Sequence, residues 1–520
     1  MIFISTVLFV ALILFISALT FGILFALWFI VVPYLLVNYY LQQGGEGYFK
    51  PFMGFFQDRL LEVKLDGDFL SYFKKMRSHQ RFVVSNLGNK AVVFLTDTDL
   101  IKEFVNQPQD YCKARIGTGM EAFFESQGIL FSEAEQWKRQ RRLLAASFNN
   151  EFLKEQTMLM SAFVEKAYCD EGILKDSANV TNISQLCKKV SGDILGRAFF
   201  GPVYQKYTFE EQPMTLGMQN LLADAFEQAY SMWNILLGHL FSAGILPQHR
   251  KLVNRIQDLR TSLLFIVQDI KRRNCLDDQS NCLLKNLLEQ QKQTPENAMT
   301  DQEIVDNFIS LFIAGANPTG NLVSAVLYTL TQHPEIHEKV TDEIDEKLTN
   351  ASVLNFEQTQ KMEFLLAVIK ESLRQNNPQG VLTYREAIQD HQLQDLTIKK
   401  GTLVTFSPLV SCFDEKFFVR SFEFRPERWL LDKNKNLALK KQPFGFIPFS
   451  AGPKACLGQH FALIQTKVML IGFLKKFQMN FIKNGDILKM THRETYEPLE
   501  DIKMMITPRE RRRYGEDVRR

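Results

Sequence analysis

The chain has 520 residues and a formal net charge of +3, with 61 basic and 58 acidic side chains. This near balance gives no reason to expect a nucleic-acid partner, and seven cysteines without clustered spacing favour a reducing compartment over a disulfide framework. Because the sequence contains no Gly/Ser-rich or Pro-rich linker and no internal repeat, we predict one large globular domain of about 470 residues.

An uncharged apolar run opens the chain. The first 45 residues contain no charged side chain, and residues 2–41 are almost continuously apolar. A membrane-spanning helix needs about 20 such residues, so the run can supply one transmembrane helix and a second embedded or interfacial segment, with Pro33 as the expected break. A cleavable signal peptide is the alternative, but a basic start and a small-residue cleavage site are both missing. We therefore predict a retained anchor in residues 1–45 and a globular domain in residues 46–520.

Basic residues follow the apolar run and do not precede it. Lys50, Arg59 and Lys64 are the first of them. Because cytoplasmic flanks of a membrane segment carry an excess of Lys and Arg, the globular domain is predicted to face the cytosol. The arginine-rich pattern of a mitochondrial transit peptide is missing.

Two strands and then a long helical region follow. Residues 82–96 predict strands on either side of a turn at Gly88-Asn89. From residue 99 to about residue 347, apolar residues recur mostly at helical spacing. Within this region Trp137 and Arg141 lie one turn apart and share a helix face, for which an ordinary solvated surface is the alternative interpretation. The fold class is predicted as mainly α with a small β region.

A long apolar helix is predicted near the middle of the chain. Thr300 and Glu303 fit a capping box that opens it, and it should stop before Pro334. The helix contains Pro318. Proline inside a helix costs about 3 kcal/mol, because it removes an N–H and its ring clashes with the carbonyl four residues back, here that of Ala314. We therefore expect the helix to open locally at this carbonyl.

A possible ion pair and two further arginines follow this helix in the chain. Glu371 and Arg374 are three residues apart on a predicted helix and can pair on one face. Such a pair on a solvated face is common and stabilises by only tenths of a kcal/mol, about 0.3–0.5 at most. Arg385 precedes a strand-like segment at residues 401–406, and Arg428 lies in an irregular segment further on.

One cysteine differs from the other six. Cys456 lies between Gly452 and Gly458, in a segment that bends at Pro453 and becomes helical from about Gln459. A thiolate at a helix start is favoured by unpaired N–H groups and by the positive end of the helix dipole, and such a sulfur can bind iron. The two glycines would let the backbone lie flat against a large planar cofactor. A glycine-rich turn around an ordinary buried cysteine is the alternative.

Phe449, Gly452, Cys456 and Gly458 complete the pattern F-x-x-G-x-x-x-C-x-G, which resembles the haem-binding signature of the cytochrome P450 family. The Glu–Arg pair, the later arginine and the Trp–Arg pair described above also resemble family motifs, in the expected order and at about the expected separations. The resemblance covers roughly residues 46–505 and implies the family's fold.

The resemblance also implies roles for individual residues. The Cys456 thiolate would bind the iron of haem b, and Glu371, Arg374 and Arg428 would form a buried network. Lys454 stands where the family usually has arginine, so the charge is kept while the planar fork is lost. The residues implied to lie at the haem are Trp137, Arg141, Arg385, Lys454, Phe449, Gly452, Gly458, Ala314 and Gly315.

The long helix departs from the family pattern. The acid and threonine of monooxygenase members would fall on Asn317 and Pro318. Thr319 is adjacent, but a shift of one residue turns a side chain about 100° around a helix. Protons for iron-bound oxygen would then come through Asn317, Thr319, a water at the Ala314 carbonyl, or a hydroxyl of the substrate. Asn317 and Thr319 therefore join Cys456 as candidate catalytic residues.

Together these features predict a haem-thiolate monooxygenase that inserts oxygen into a small apolar molecule such as a fatty acid, sterol, terpenoid or xenobiotic. The family implies a place in the endoplasmic reticulum membrane and electrons from NADPH through NADPH–cytochrome P450 reductase, with cytochrome b5 as a second candidate donor. Arg139, Lys440 and Lys441 are candidate reductase contacts. The alternatives are a haem-thiolate isomerase, dehydratase or peroxide-using enzyme, and a non-catalytic haem-binding sensor. The spacing of residues does not indicate which substrate fits.

Overall fold

The structure is a computed structural model. It describes residues 2–51, 54, 81–114, 127–170, 180–229, 247–273, 281–348, 353–380, 384–430, 443–481, 490–492 and 495–509. The helices are α1 (Ile2–Ala26), α2 (Val32–Gln42), α3 (Thr98–Asn106), α4 (Ala134–Ser147), α5 (Asn150–Asp170), α6 (Ile183–Phe200), α7 (Met214–Ala229), α8 (Pro247–Arg273), α9 (Leu283–Gln293), α10 (Asp301–Gln332), α11 (Pro334–Lys347), α12 (Phe356–Gln360), α13 (Glu363–Gln375), α14 (Pro408–Cys412) and α15 (Gln459–Leu474).

Short strands accompany these helices, as the predicted fold class requires. They are β1 (Glu46–Gly47), β2 (Phe82–Leu87), β3 (Lys90–Leu95), β4 (Tyr111–Lys113), β5 (Val180–Asn182), β6 (Thr208–Phe209), β7 (Gln212–Pro213), β8 (Arg385–Ala387), β9 (His391–Leu393), β10 (Leu396–Ile398), β11 (Leu403–Phe406), β12 (Phe477–Phe481), β13 (Met490–His492), β14 (Tyr496–Pro498) and β15 (Lys503–Pro508). A mainly α fold with small sheets is confirmed.

The apolar start of the chain forms one continuous helical rod. Its length and hydropathy from Leu12 to Gln42, 31 residues, are sufficient to cross a membrane. The expected break at Pro33 is wrong, because α1 passes through a π-helical turn, Leu27–Val31, directly into α2. A π turn shifts the backbone hydrogen bonds by one residue, and here it does so just before the residue that donates no N–H.

The end of this rod belongs to the globular fold. Val37 and Tyr40 are fully buried in a cluster with β2, β3 and β11. The Tyr40 hydroxyl shares a hydrogen bond of 2.8 Å with Thr402 Oγ1 and accepts the Lys399 N–H at 2.9 Å. The boundary at residue 45 stays a prediction, and the last turns of α2 contribute side chains to the core of the globular fold.

A six-stranded sheet lies beside this cluster, in the order β1-β2-β3-β11-β8-β4. The predicted pair of strands around Gly88-Asn89 is confirmed as the antiparallel pair β2 and β3. Strand β8 lies between β11 and β4, and the register of β4 against β8 places Lys113 directly opposite Arg385. The sheet thus brings two basic residues from distant parts of the chain together.

Helix α10 runs through the main core. The predicted capping box is confirmed, since Thr300 Oγ1 accepts the Glu303 N–H at 3.2 Å and Glu303 Oε2 accepts the Thr300 N–H at 3.0 Å. The helix ends at Gln332 as predicted and continues through Pro318 without interruption. It packs against α6 so closely that a Cβ added at Gly320 would lie 2.6 Å from Lys188 Cα.

The docking of α2 predicts different outcomes for two truncations. Deletion of residues 2–31 should leave the stability of the globular domain unchanged, because the buried turns of α2 are kept. Deletion of residues 2–45 should lower the free energy of unfolding by at least about 3 kcal/mol, since loss of one large buried side chain costs about 2–5 kcal/mol. Urea unfolding of both variants, with Tyr40→Phe as a control for the two hydrogen bonds alone, checks this. Equal stability of the two truncations would contradict it.

A buried lysine in α15 predicts a dependence of stability on pH. Lys467 is 3% exposed and donates to the Thr359 carbonyl at 2.8 Å. Desolvation lowers the pKa of this amine from 10.5 to about 8. The unfolded chain therefore binds the proton more tightly, and stability should rise between pH 8 and 10.5 by about 3 kcal/mol, at 1.36 kcal/mol per pKa unit. Urea unfolding of Lys467→Met should lack this rise, whereas an identical pH profile in both proteins would refute the burial of a charge here.

Candidate active site

The segment that precedes α15 forms a tight loop around Cys456. The Cys456 N–H donates to the Phe449 carbonyl at 2.9 Å, and the Ala455 N–H donates to the Gly452 carbonyl at 3.1 Å. Gly452 has a φ of +72°, and a Cβ there would lie 2.5 Å from the Val105 carbonyl oxygen. Gly452 is thus needed for the conformation of the loop and for its contact with α3. The sequence had suggested a different reason, the close approach of a planar cofactor. A Cβ at Gly458 would meet no atom within 4 Å, so that side of the loop is open.

Cys456 differs from the other described cysteines in its exposure. Among the five described cysteines it alone is exposed, since Cys112 is half-buried and the others are buried. Neighbouring protein atoms nevertheless desolvate its sulfur. Burial raises the pKa of the Cys456 thiol, while the Gly458 backbone N–H and Arg141 act in the opposite direction. Burial thus outweighs the stabilisation that the helix start gives to a thiolate, and a bound metal cation would favour the deprotonated sulfur.

Helix α10 is mostly buried and opens near its middle, in a segment that we call the open strip. Ala314 is exposed there, and Leu311, Gly315, Asn317 and Pro318 are partly exposed. The helix packs against α15, which begins directly after the Cys456 loop. Pro318 therefore belongs to the open strip, whose side chains are apolar except for that of Asn317.

The two residues that flank Pro318 differ in their surroundings. Asn317 is partly exposed, and its Oδ1 accepts a hydrogen bond of 3.3 Å from Gln219 Nε2, which also donates to the Lys188 carbonyl at 2.9 Å. Thr319 is buried, with 5% of its surface exposed. Thr319 therefore lies outside the open strip, and the amide of Asn317 is engaged with Gln219.

Two arginines lie near the cysteine loop without an acidic partner within 4 Å in the described parts of the chain. Arg141 donates to the Ala455 carbonyl at 2.8 Å, and its guanidinium carbon lies 5.6 Å from the Trp137 ring centroid. Arg385 packs on the Phe104 ring at 4.9 Å, and its Nη1 is buried without a hydrogen-bond partner. Desolvation lowers the pKa of both guanidinium groups. A buried donor of this kind is costly unless a ligand accepts from it.

Two other predicted contacts are engaged within the protein. Lys454 Nζ pairs with Glu133 Oε2 at 3.0 Å and lies 5.2 Å from the Trp137 ring centroid. Arg139 donates to the Ala298 carbonyl at 2.8 Å and pairs with Glu303, and its contact with a reductase stays a prediction. Lys440 and Lys441 lie outside the described residues.

Glu371, which is fully buried in α13, is the centre of a hydrogen-bonded network. Its carboxylate accepts from Arg374 Nε at 3.0 Å, Arg374 Nη2 at 2.9 Å and Arg428 Nε at 3.0 Å. It also accepts from Trp429 Nε1 and from the Arg425 N–H, both at 2.9 Å. The donors from Trp429 and Arg425 were not predicted from the sequence, although their position beside Arg428 could have indicated them.

Known proteins resemble this chain over most of its length. The profile of the family described as Cytochrome P450 matches residues 49–504. Cytochrome P450 3A12 of Canis lupus familiaris is 26% identical over 436 residues, which are 81% of this chain and 84% of that protein. Cytochrome P450 3A13 of Mus musculus has the same identity and coverage. Cytokinin hydroxylase of Arabidopsis thaliana is 29% identical over 427 residues, 78% of this chain and 77% of that protein.

The chain belongs to the cytochrome P450 family. Membership makes it a haem-thiolate enzyme of the monooxygenase type, an oxidoreductase. The site of this cytochrome P450 fits haem on the structure's own evidence. The sulfur of Cys456 is exposed, and two arginines without carboxylate partners among the described residues, one with a buried unpaired N–H, suit the two propionates of the cofactor. Cys456, Arg141 and Arg385 are the residues that would hold it.

The thiol environment predicts the effect of Cys456→Ser. The variant should lose the thiolate-type carbonyl spectrum of the reduced cytochrome P450, because a serine oxygen donates far less electron density to iron than sulfur does. Difference spectra of the reduced protein with carbon monoxide measure this. Cys112→Ser, in strand β4, should keep the spectrum and serves as the control. Retention of the spectrum in Cys456→Ser would remove this residue from the site.

Proposed function

We propose that this cytochrome P450 inserts one oxygen atom from O2 into a small apolar substrate, with electrons that come from NADPH through NADPH–cytochrome P450 reductase. The observation that carries the proposal is the exposed Cys456, with Arg141 bonded to the Ala455 carbonyl of its loop and with Arg385 carrying a buried unpaired N–H, because these groups suit a thiolate-bound dianionic haem. Haem bound by this thiolate supplies the chemistry of O–O cleavage. Cytochrome b5 is a second candidate electron donor.

The open strip of α10 supports an apolar substrate. Leu311, Ala314, Gly315 and Pro318 carry no side-chain hydrogen-bond donor or acceptor. Such a surface selects ligands by shape and by apolar contact. Fatty acids, sterols, terpenoids and apolar xenobiotics are therefore the classes to test, and the similarity to a protein named cytokinin hydroxylase supports hydroxylation as the reaction.

The apolar helical rod supports a location in the endoplasmic reticulum membrane, with the catalytic domain on the cytosolic side. The span from Leu12 to Gln42 has the length that a bilayer requires, and Lys50 follows it. Deletion of residues 2–31 tests the location, since the protein should then move from the membrane fraction to the soluble fraction and keep its haem.

Proton delivery in this enzyme has to differ from that of members with a helix threonine. Pro318 has no N–H, so the Ala314 carbonyl lacks its usual helical donor. Because Ala314 is exposed on the open strip, a water can donate to this carbonyl and relay a proton towards the substrate. A hydroxyl on the substrate could occupy the same position. Thr319 is buried and Asn317 bonds to Gln219, so neither side chain offers this route as placed.

The same proline favours one alternative function. A haem-thiolate isomerase, dehydratase or peroxide-using enzyme receives a substrate that already carries oxygen, so it needs no proton relay from this helix. The loss of both the acid and the threonine at Asn317 and Pro318 is the observation that supports it.

Substitution of the proline separates the two functions. Pro318→Thr should restore a hydroxyl on the open strip and lower peroxide release per NADPH consumed by at least about twofold, a small part of the 10²–10⁴-fold that a positioned proton donor can contribute. Thr319→Ala is the matched control and should leave this ratio unchanged, because Thr319 is buried. Peroxide and product are measured against NADPH consumption with reductase and a substrate identified from Soret shifts.

Two outcomes would contradict the proposal. A rise in peroxide release for Thr319→Ala would mean that this threonine delivers protons after all. Conversion of an added hydroperoxide without reductase, together with no effect of either substitution on coupling, would replace the monooxygenase with the isomerase or peroxide-using enzyme.

A further inference from the structure

One carboxylate connects three segments at the edge of the site. Glu133 stands immediately before α4. Its Oε2 accepts from Lys454 Nζ at 3.0 Å, in the cysteine loop, and its Oε1 accepts from the Lys113 backbone N–H at 2.5 Å, in strand β4. The Lys454 side chain is 13% exposed and that of Glu133 is 34% exposed, so the ion pair is partly shielded from water. Glu133 therefore ties the cysteine loop to both α4 and the sheet.

The surroundings of this carboxylate are strongly basic. Lys113 and Arg385 are directly opposite each other in the register of β4 and β8, and like charges in such a position destabilise a sheet. The Lys113 ammonium donates to the Ile129 and Ser132 carbonyls at 2.9 and 2.7 Å. These two acceptors offset the repulsion between Lys113 and Arg385. The pKa of Arg385 is lowered by desolvation, and Tyr111 and Glu133 act against that shift, so the charge of Glu133 reaches this arginine.

The basic side chains around the site are not equivalent. Arg385 has a buried N–H without a partner, and the described residues offer neither Arg385 nor Arg141 an acidic partner within 4 Å. Lys454, in contrast, already has a carboxylate. The two arginines thus have donors to give to an anionic ligand, while the charge of the lysine is neutralised within the protein.

We propose that Glu133 is a positioning residue that holds Lys454 away from the haem propionates, leaves the propionates to Arg141 and Arg385, and sets the reduction potential of the iron by offsetting the lysine charge. The inference rests on haem bound at Cys456 and not on the substrate or the redox partner. A positive charge near the iron stabilises the ferrous form, because reduction removes one positive charge from the centre. Loss of the Glu133 charge should therefore raise the potential, and loss of the Lys454 charge should lower it.

Four variants of the haem-bound full-length chain test this inference by potentiometric titration without substrate or reductase. Glu133→Gln should raise the midpoint potential, Lys454→Met should lower it, and the double variant should return it close to the wild-type value. Glu135→Gln is the matched control, because Glu135 lies in the same helix in an exposed pair with Lys138, and it should leave the potential unchanged.

Haem transfer to excess apomyoglobin gives a second readout. In Glu133→Gln the freed Lys454 ammonium can reach a propionate, so haem transfer should slow by roughly tenfold, the effect of one charge-assisted hydrogen bond.

Faster haem transfer with an unchanged reduction potential would show that Glu133 only holds the loop in place, and it would overturn the proposal. An unchanged potential in both single variants, or shifts of the same sign, would overturn it as well. If Glu133→Gln does not accumulate with haem, three other variants decide the question. Glu133→Asp should keep the wild-type potential. Lys454→Met and the double variant should behave as stated above.

Discussion

The buried carboxylate of Glu371 is the constraint on which the rest of the haem-binding side depends. It collects donors from α13 itself and from the turn that contains Arg428 and Trp429. Arg374 carries the connection further, because its Nη1 donates to the Cys412 and Ser421 carbonyls at 2.7 and 2.6 Å. Several irregular segments that lack a regular ladder are thus held by one ion cluster. Removal of one member would strand buried charge at a cost of about 3–5 kcal/mol, so the cluster determines geometry more than it adds stability.

The active site, in contrast, contains polar groups whose interactions are left unsatisfied by the protein. Arg385 keeps a buried donor without an acceptor, and the Cys456 thiol lies where burial raises its pKa. Both features are unfavourable in the protein alone, and both are relieved by a cofactor that brings two carboxylates and an iron cation. Local conflict of this kind is typical of a binding site, because the missing interactions are the ones that the ligand makes.

Pro318 illustrates how one substitution changes chemistry without changing the fold. The helix accommodates the ring without interruption, and Pro318 lies among the partly exposed residues of the open strip. What changes is the inventory of hydrogen-bonding groups on that strip, where a hydroxyl is replaced by a carbonyl that lacks its usual donor.

Much of the site follows from the sequence alone, because its signals are local. The loop around Cys456, the capping box at Thr300, the strand pair around Gly88-Asn89 and the spacing of Glu371 and Arg374 depend on residues within a few positions of one another. Local backbone sterics and helix periodicity determine these features, so they can be predicted before any tertiary contact is known.

The tertiary structure decided what depends on residues that are distant in the chain. Glu133 meets Lys454, Tyr40 docks on Thr402, and Arg385 comes to lie opposite Lys113, although no periodicity connects the members of any of these pairs. Burial also decided the direction of the Cys456 pKa shift, because desolvation outweighs the Gly458 N–H that the helix start contributes. Desolvation is a property of everything packed around a group, and a sequence pattern describes only its neighbours along the chain.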